Sequence, residues 1–125
     1  MSINFDTFIN ENPAMRQLPI KADGSVIFEG KVYLNHRYNS LPTVNQSVEL
    51  RISIPTLYPT IPLVFEEIGG FIPKDEDHHV NPDGTLCLGS PFKVMNALSL
   101  NSDLNCFYKQ FFIPYIYAVI LKIND

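Results

Sequence analysis

Val48, Leu50, Ile52 and Ile54 alternate with Glu49, Arg51 and Ser53, so an extended segment carries one apolar and one polar face. A period of two marks a strand with one buried side. Val26-Ile27-Phe28 and Lys31-Val32-Tyr33-Leu34 are rich in β-branched and aromatic residues and predict two more strands, with Gly30 as a candidate bulge between them. Asn39-Ser40-Leu41-Pro42 supplies a turn, and Leu63-Val64-Phe65 predicts a short fourth strand. Pro55, Pro59 and Pro62 fall just ahead of it. Proline fixes φ and removes a donor, so residues 55–62 are expected to form a rigid extended crossover, not a central strand. The pattern predicts a four-stranded antiparallel meander.

Helical spacing replaces alternation at both ends. Within residues 2–15, Phe5, Phe8 and Ile9 share a face behind the possible caps Ser2 and Asn4, and Asn12-Pro13 interrupts the helix. Asp23-Gly24 supplies the turn into the strands. Near the other end Ser102 or Asp103 can cap a helix whose Leu104, Phe107, Tyr108, Phe111, Phe112, Tyr115 and Val119 recur at three- and four-residue steps. Pro114 should kink that helix or begin a second one. Gly69-Gly70 opens a long irregular region that runs past Pro91. The expected fold is α+β, a single domain over residues 1–125: N-terminal helix, four-stranded meander, loop, C-terminal helix.

Composition narrows the function classes. Of 125 residues, 46% are hydrophobic and 18% charged, which suits a buried core and excludes a disordered chain. The net charge is −4 and no Lys/Arg cluster occurs, which argues against nucleic acid as a partner. Cys87 and Cys106, with no secretory pattern ahead of them, point to a cytoplasmic protein and not a disulfide scaffold. The greasiest segment, residues 111–123, is shorter than the ~20 apolar residues that span a bilayer and contains Pro114, so it is expected to be a core helix with no membrane partner.

The unusual side chains gather in the loop, from Asp75-Glu76-Asp77-His78-His79-Val80-Asn81 through Pro82-Asp83-Gly84-Thr85-Leu86-Cys87-Leu88-Gly89-Ser90-Pro91. A long irregular stretch inside a domain points to function. His78, His79 and Cys87 make a poor zinc set, because adjacent histidines rarely converge on one ion and no CxxC or HxxxH pair supports them. The acidic run Asp75-Glu76-Asp77 reads as a solvated face, and His36 beside Arg37 as a solvated strand end. Cys106 lies near the apolar helical stripe and is expected in the core.

Two of these segments together resemble the ubiquitin-conjugating enzymes. Tyr58-Pro59-Thr60-Ile61-Pro62-Leu63-Val64-Phe65 is similar to that family's Tyr-Pro crossover. His79-Val80-Asn81 followed by Gly84-Thr85-Leu86-Cys87-Leu88 resembles its His-Pro-Asn and Gly-x-Ile-Cys-Leu around the acceptor cysteine. The order of elements agrees, and the likeness covers almost the whole chain. Val80 stands where the family has proline, Asn81 lies nearer the cysteine than usual, and no tryptophan follows. These departures resemble the divergent bacterial relatives found in antiphage operons beside cyclic-oligonucleotide synthases.

The resemblance implies a UBC-like fold and a cysteine acyltransferase without cofactor or metal. Cys87 would accept the C-terminus of a ubiquitin-like modifier, or of a cyclic-oligonucleotide synthase, as a thioester from an activating enzyme and pass it to an amine. A thiolate is the nucleophile in that exchange. Asn81 would stabilise the oxyanion of amine attack, a contribution of ~10²–10³ in rate for one well-placed donor, or else brace the loop. His79 would brace the loop or move a proton. Asp83 would orient an amine or serve only as a turn residue, and Gly84 would supply a positive φ. The alternative is a catalytically inactive UBC- or RWD-like interaction module, which characteristically lacks the cysteine. A cysteine hydrolase with a Cys–His pair is disfavoured, because it needs a separately placed histidine and a larger cleft.

Overall fold

Strands form where alternation is strongest. In the computed structural model, described over residues 5–124, an antiparallel sheet runs in the order β1 (Met15–Gln17), β2 (Val26–His36), β3 (Val44–Ile54) and β4 (Val64–Glu67). The α+β class and the four-stranded antiparallel sheet are as expected, but the strands are not the same four. Residues 26–28 and 31–34 belong to one strand, in unbroken register with β3 from Val26 opposite Ile54 to His36 opposite Val44.

Gly30 is therefore no bulge. It is where β1 crosses close: Gly30 pairs with Met15, and a Cβ on it would lie 2.1 Å from the Ala14 carbonyl oxygen. Its φ of +152° is one that side chains rarely adopt. The strand this permits, Met-Arg-Gln, is too short to display a period, which is why the pattern along the chain did not reveal it.

The proline-rich segment also differs from expectation. It is folded into turns, not extended, with Tyr58 N–H donating to Pro55 O (3.0 Å) and Ile61 N–H to Leu57 O (3.1 Å). The Tyr58 ring turns inward, and its hydroxyl donates to Ser102 O at 2.7 Å, tying the crossover to the start of the last helix. Burial, aided by the Asp103 carboxylate, pushes the Tyr58 hydroxyl up to about 12, so it remains a donor at neutral pH.

Three helices accompany the sheet, and the first and last pack on it. The first, α1 (Asp6–Glu11), is shorter than residues 2–15, and the caps expected at Ser2 and Asn4 lie outside the described residues. It inserts Phe8, fully buried, between Phe28 (6.3 Å between ring centres) and Tyr108 (5.1 Å). The second, α2 (Pro91–Leu100), stands where an irregular chain was expected. Its start signal is in the sequence: the Ser90 hydroxyl accepts from Lys93 N–H at 3.2 Å, and Pro91 occupies the first turn.

The third, α3 (Leu104–Asn124), is continuous over 21 residues and begins with the Asp103 carboxylate accepting from Cys106 N–H at 3.0 Å. Pro114 does not break it and stands in the first turn of the α-helical part that resumes at Ile113. A wider π-helical turn over Tyr108–Phe112 lies just ahead, where the proline ring would otherwise crowd the preceding carbonyls. By length and composition alone α3 could cross a membrane, so the shortness argued for residues 111–123 does not hold. Its apolar side meets the sheet instead, with Phe112 stacked on Phe65 at 5.4 Å and Ile116 and Ile120 enclosed.

Gly30→Ala is expected to force β1 off β2 and lower stability by about 2 kcal/mol or more. A urea titration followed by circular dichroism measures this, and an unchanged midpoint would show that β1 does not need the close approach.

Candidate active site around Cys87

The loop is positioned from the free edge of β4. Phe65 pairs with Ile52 on β3, while its carbonyl faces outward and accepts Leu86 N–H at 2.8 Å. Val80 and Leu86 bridge each other and are both 7% exposed, so this pair plugs the loop into the core. Asn81-Pro82-Asp83-Gly84 turns the hairpin, with Gly84 N–H on Asn81 O (2.9 Å) and Gly84 at φ +91°. The Asp83 carboxylate accepts from the Thr85 hydroxyl (2.6 Å) and Thr85 N–H (2.9 Å), and these bonds hold it below the usual carboxylate range. Upstream, Glu67 is buried at the end of β4, and its carboxylate accepts from Gly69 N–H (2.5 Å) and Ile72 N–H (2.7 Å), turning the chain into the loop.

With Val80 and Leu86 inside, Cys87 is left outside. Its thiol is exposed, 3.9 Å from Gly89 O, and its N–H donates to His79 O at 2.8 Å. It opens on a groove of about 710 Å³ between the loop, the start of α2 and the middle of α3. His79, exposed and left-handed at φ +56°, shares that groove, as do Lys93 of α2 and Phe111, Tyr115 and Lys122 of α3.

Asn81 is placed elsewhere. It lines a separate hollow with Lys74, Glu76 and Pro82, its carboxamide N–H donates to Thr85 Oγ1 at 3.1 Å, and its backbone N–H donates to Thr85 O at 2.8 Å. Of the two roles open to it, this arrangement serves the brace.

The loop is clamped through His78 more than through His79. The His78 ring and N–H both reach Asp75 Oδ1, at 2.6 and 3.0 Å, and its carbonyl accepts from the Tyr115 hydroxyl at 2.8 Å. Lys122 Nζ donates to Asp77 O beside it. Chiefly the ring bond, and after it the His78 N–H and nearby cations, hold Asp75 below the ordinary carboxylate range. Burial above all, then proximity to Cys87 and Glu67, pushes the Tyr115 hydroxyl up to about 12, so it donates throughout the neutral range. His78 and His79 thus serve different surroundings, and among the described residues no group of three or more acidic, histidine or cysteine side chains is placed to hold a metal ion.

Two other expectations change. Cys106 is exposed, because the buried neighbours Asn105 and Phe107 take the inner face of α3. His36 is half-buried, its ring 4.3 Å from Tyr38 and 6.0 Å from Tyr117 between centres. Sequence reasoning missed Lys93, Tyr115 and Lys122 as groove residues. Only Lys93 carried a local signal, through the Ser90-Pro91 helix start; the other two arrive from 28 and 35 residues beyond Cys87.

Compared with protein-family models, with curated proteins and with solved structures, the chain finds no match. Chemically, an open thiol beside an imidazole, a phenol and an amine can take up and release an acyl group.

Asp75 and Asp83 both have depressed folded-state values, so the loop order they support is present above the unfolded carboxylate range near pH 4 and is lost as pH falls through the lower folded values. Amide NMR signals of His78 and Thr85 should shift in that acid window. The joint variant Asp75→Asn, Asp83→Asn should abolish the shift; its survival would assign the transition to other groups.

Proposed function

We propose that the protein is a ubiquitin-conjugating-like acyl carrier of UBC-like fold. Cys87 forms a thioester with a protein C-terminus, from a ubiquitin-like modifier or a cyclic-oligonucleotide synthase, and passes the acyl group to an amine. An activating enzyme supplies the acyl group, and the setting is bacterial antiphage defence in the cytoplasm. The observation that carries the reading is the open Cys87 thiol in a groove of about 710 Å³. The Tyr58-Pro59 crossover, the four-stranded antiparallel sheet and the cysteine segment in that order support it further.

The chemistry asks little of the thiol. Exchange between thioesters is nearly isoenergetic, whereas attack by an amine builds an oxyanion that needs a donor. His79, on the same groove, takes the proton-moving role, and Asn81 the bracing one. A second reading, an inactive UBC- or RWD-like interaction module, draws support from Phe92 and Leu100, which stand 84% and 80% exposed on α2. Retention of an exposed cysteine favours the carrier.

Incubation with the activating enzyme and modifier or synthase of its own operon, followed by non-reducing gels, tests the choice. The carrier gives a reductant-sensitive adduct that Cys87→Ala abolishes and Cys87→Ser converts to a stable oxyester. An adduct that survives Cys87→Ala removes Cys87 from the reaction. In single-turnover discharge, Asn81→Ala should stay within about threefold of the parent, whereas loss of an oxyanion donor would slow it by ~10² or more.

A further inference from the structure

Helix α2 turns Val94 and Leu98 inward and leaves Phe92, Asn96 and Leu100 exposed on the opposite side. Steps of four residues stay on one side of a helix, and the ends of this ridge lie about 12 Å apart. Read in either direction, the ridge is apolar, polar, apolar. A two-fold contact needs such a surface, because the two copies present one patch to each other in opposite directions. The charges have the same property. Lys93 is the only charged residue of α2 and stands in its first turn, at the positive end of the helix dipole, whereas the last turn carries no cation. Among the described residues no carboxylate pairs with Lys93. An antiparallel copy corrects both ends, because each lysine then meets the C-terminal carbonyls of the other helix.

We propose that the exposed face of α2 is the contact of a homodimer, its two helices antiparallel about a two-fold axis at Asn96. Phe92 of each copy covers Leu100 of the other, the two Asn96 carboxamides face each other, and each Lys93 lies over the last turn of the opposite helix. Four-step ridges that interdigitate cross at about −50°, the commonest helix pairing. Burial of the phenyl and leucine side chains drives the association. Asn96 at the centre fixes the register, because a slip of one turn would set its amide against an apolar side chain. One pair of ten-residue helices is a small contact, so the dimer is weak and its extent depends on concentration. The inference goes beyond the carrier reading and does not require it. Lys93 also lines the groove of Cys87, so the second copy stands at the rim of each groove.

Sedimentation equilibrium of the full chain from roughly 10 µM to 1 mM should show the mass rise from 14.2 kDa toward twice that value. Phe92→Ser and Leu100→Ser remove exposed side chains, so each should stay folded by circular dichroism and raise the dissociation constant about tenfold or more. Lys93→Glu should weaken the dimer about threefold or more, yet raise the urea midpoint of the dilute monomer, because an anion suits the first turn. With Cys87 and Cys106 replaced by serine, Asn96→Cys should cross-link on mild oxidation, and adding Phe92→Ser should prevent it. A single 14.2 kDa mass at every concentration overturns the proposal and leaves this face to a different protein. A dimer that both Phe92→Ser and Leu100→Ser preserve lies elsewhere on the molecule and equally overturns it. A dimer that Lys93→Glu strengthens overturns the antiparallel order.

Discussion

The hydrogen bond from Leu86 N–H to Phe65 O decides where the chemistry can be. It docks the loop hairpin on the one edge of β4 that β3 leaves open, and the buried Val80 and Leu86 side chains lock that docking by excluding water from it. Once residue 86 is inward, residue 87 is directed outward. Cys87 is exposed because its two leucine neighbours, Leu86 buried and Leu88 half-buried, already occupy the apolar ground.

The rest of the groove comes from α3. A helix continuous through Pro114 is needed to bring Phe111, Tyr115 and Lys122 along one wall, and the π-helical turn is what keeps it continuous. The Tyr115 hydroxyl on His78 O then fixes the loop to the helix from the far side. Held at β4 by one end and at α3 by the other, the segment from Asp75 to Cys87 has little freedom, although most of it is exposed. The packed aromatic column of Phe65, Phe112, Tyr108 and Phe8 joins the two anchor points through the core.

The acyl-carrier reading needs only an open thiol with room for a peptide beside it. The first turn of α2 reaches the same groove, which follows from the tight Ser90-Pro91 start only a few residues past Cys87. Phe92 and Leu100, exposed on the same helix, leave α2 with more apolar surface than its length requires.

The alternation of Val48, Leu50, Ile52 and Ile54 and the three- and four-step spacing of Leu104, Phe107, Phe111 and Phe112 were enough to determine the class and the antiparallel sheet, because a residue's facing depends only on local backbone period. The thiol, the histidines and the turn beside them were likewise legible as a cluster, being adjacent in the chain. What required the tertiary structure was every relation across distance. It made β1 a strand through the bare backbone of Gly30, gave the loop-bracing role to His78 through Tyr115, and turned Asn81 toward Thr85 and away from the cysteine. Those outcomes depend on which groups meet after the sheet and α3 close together, and no one-dimensional period encodes such a meeting.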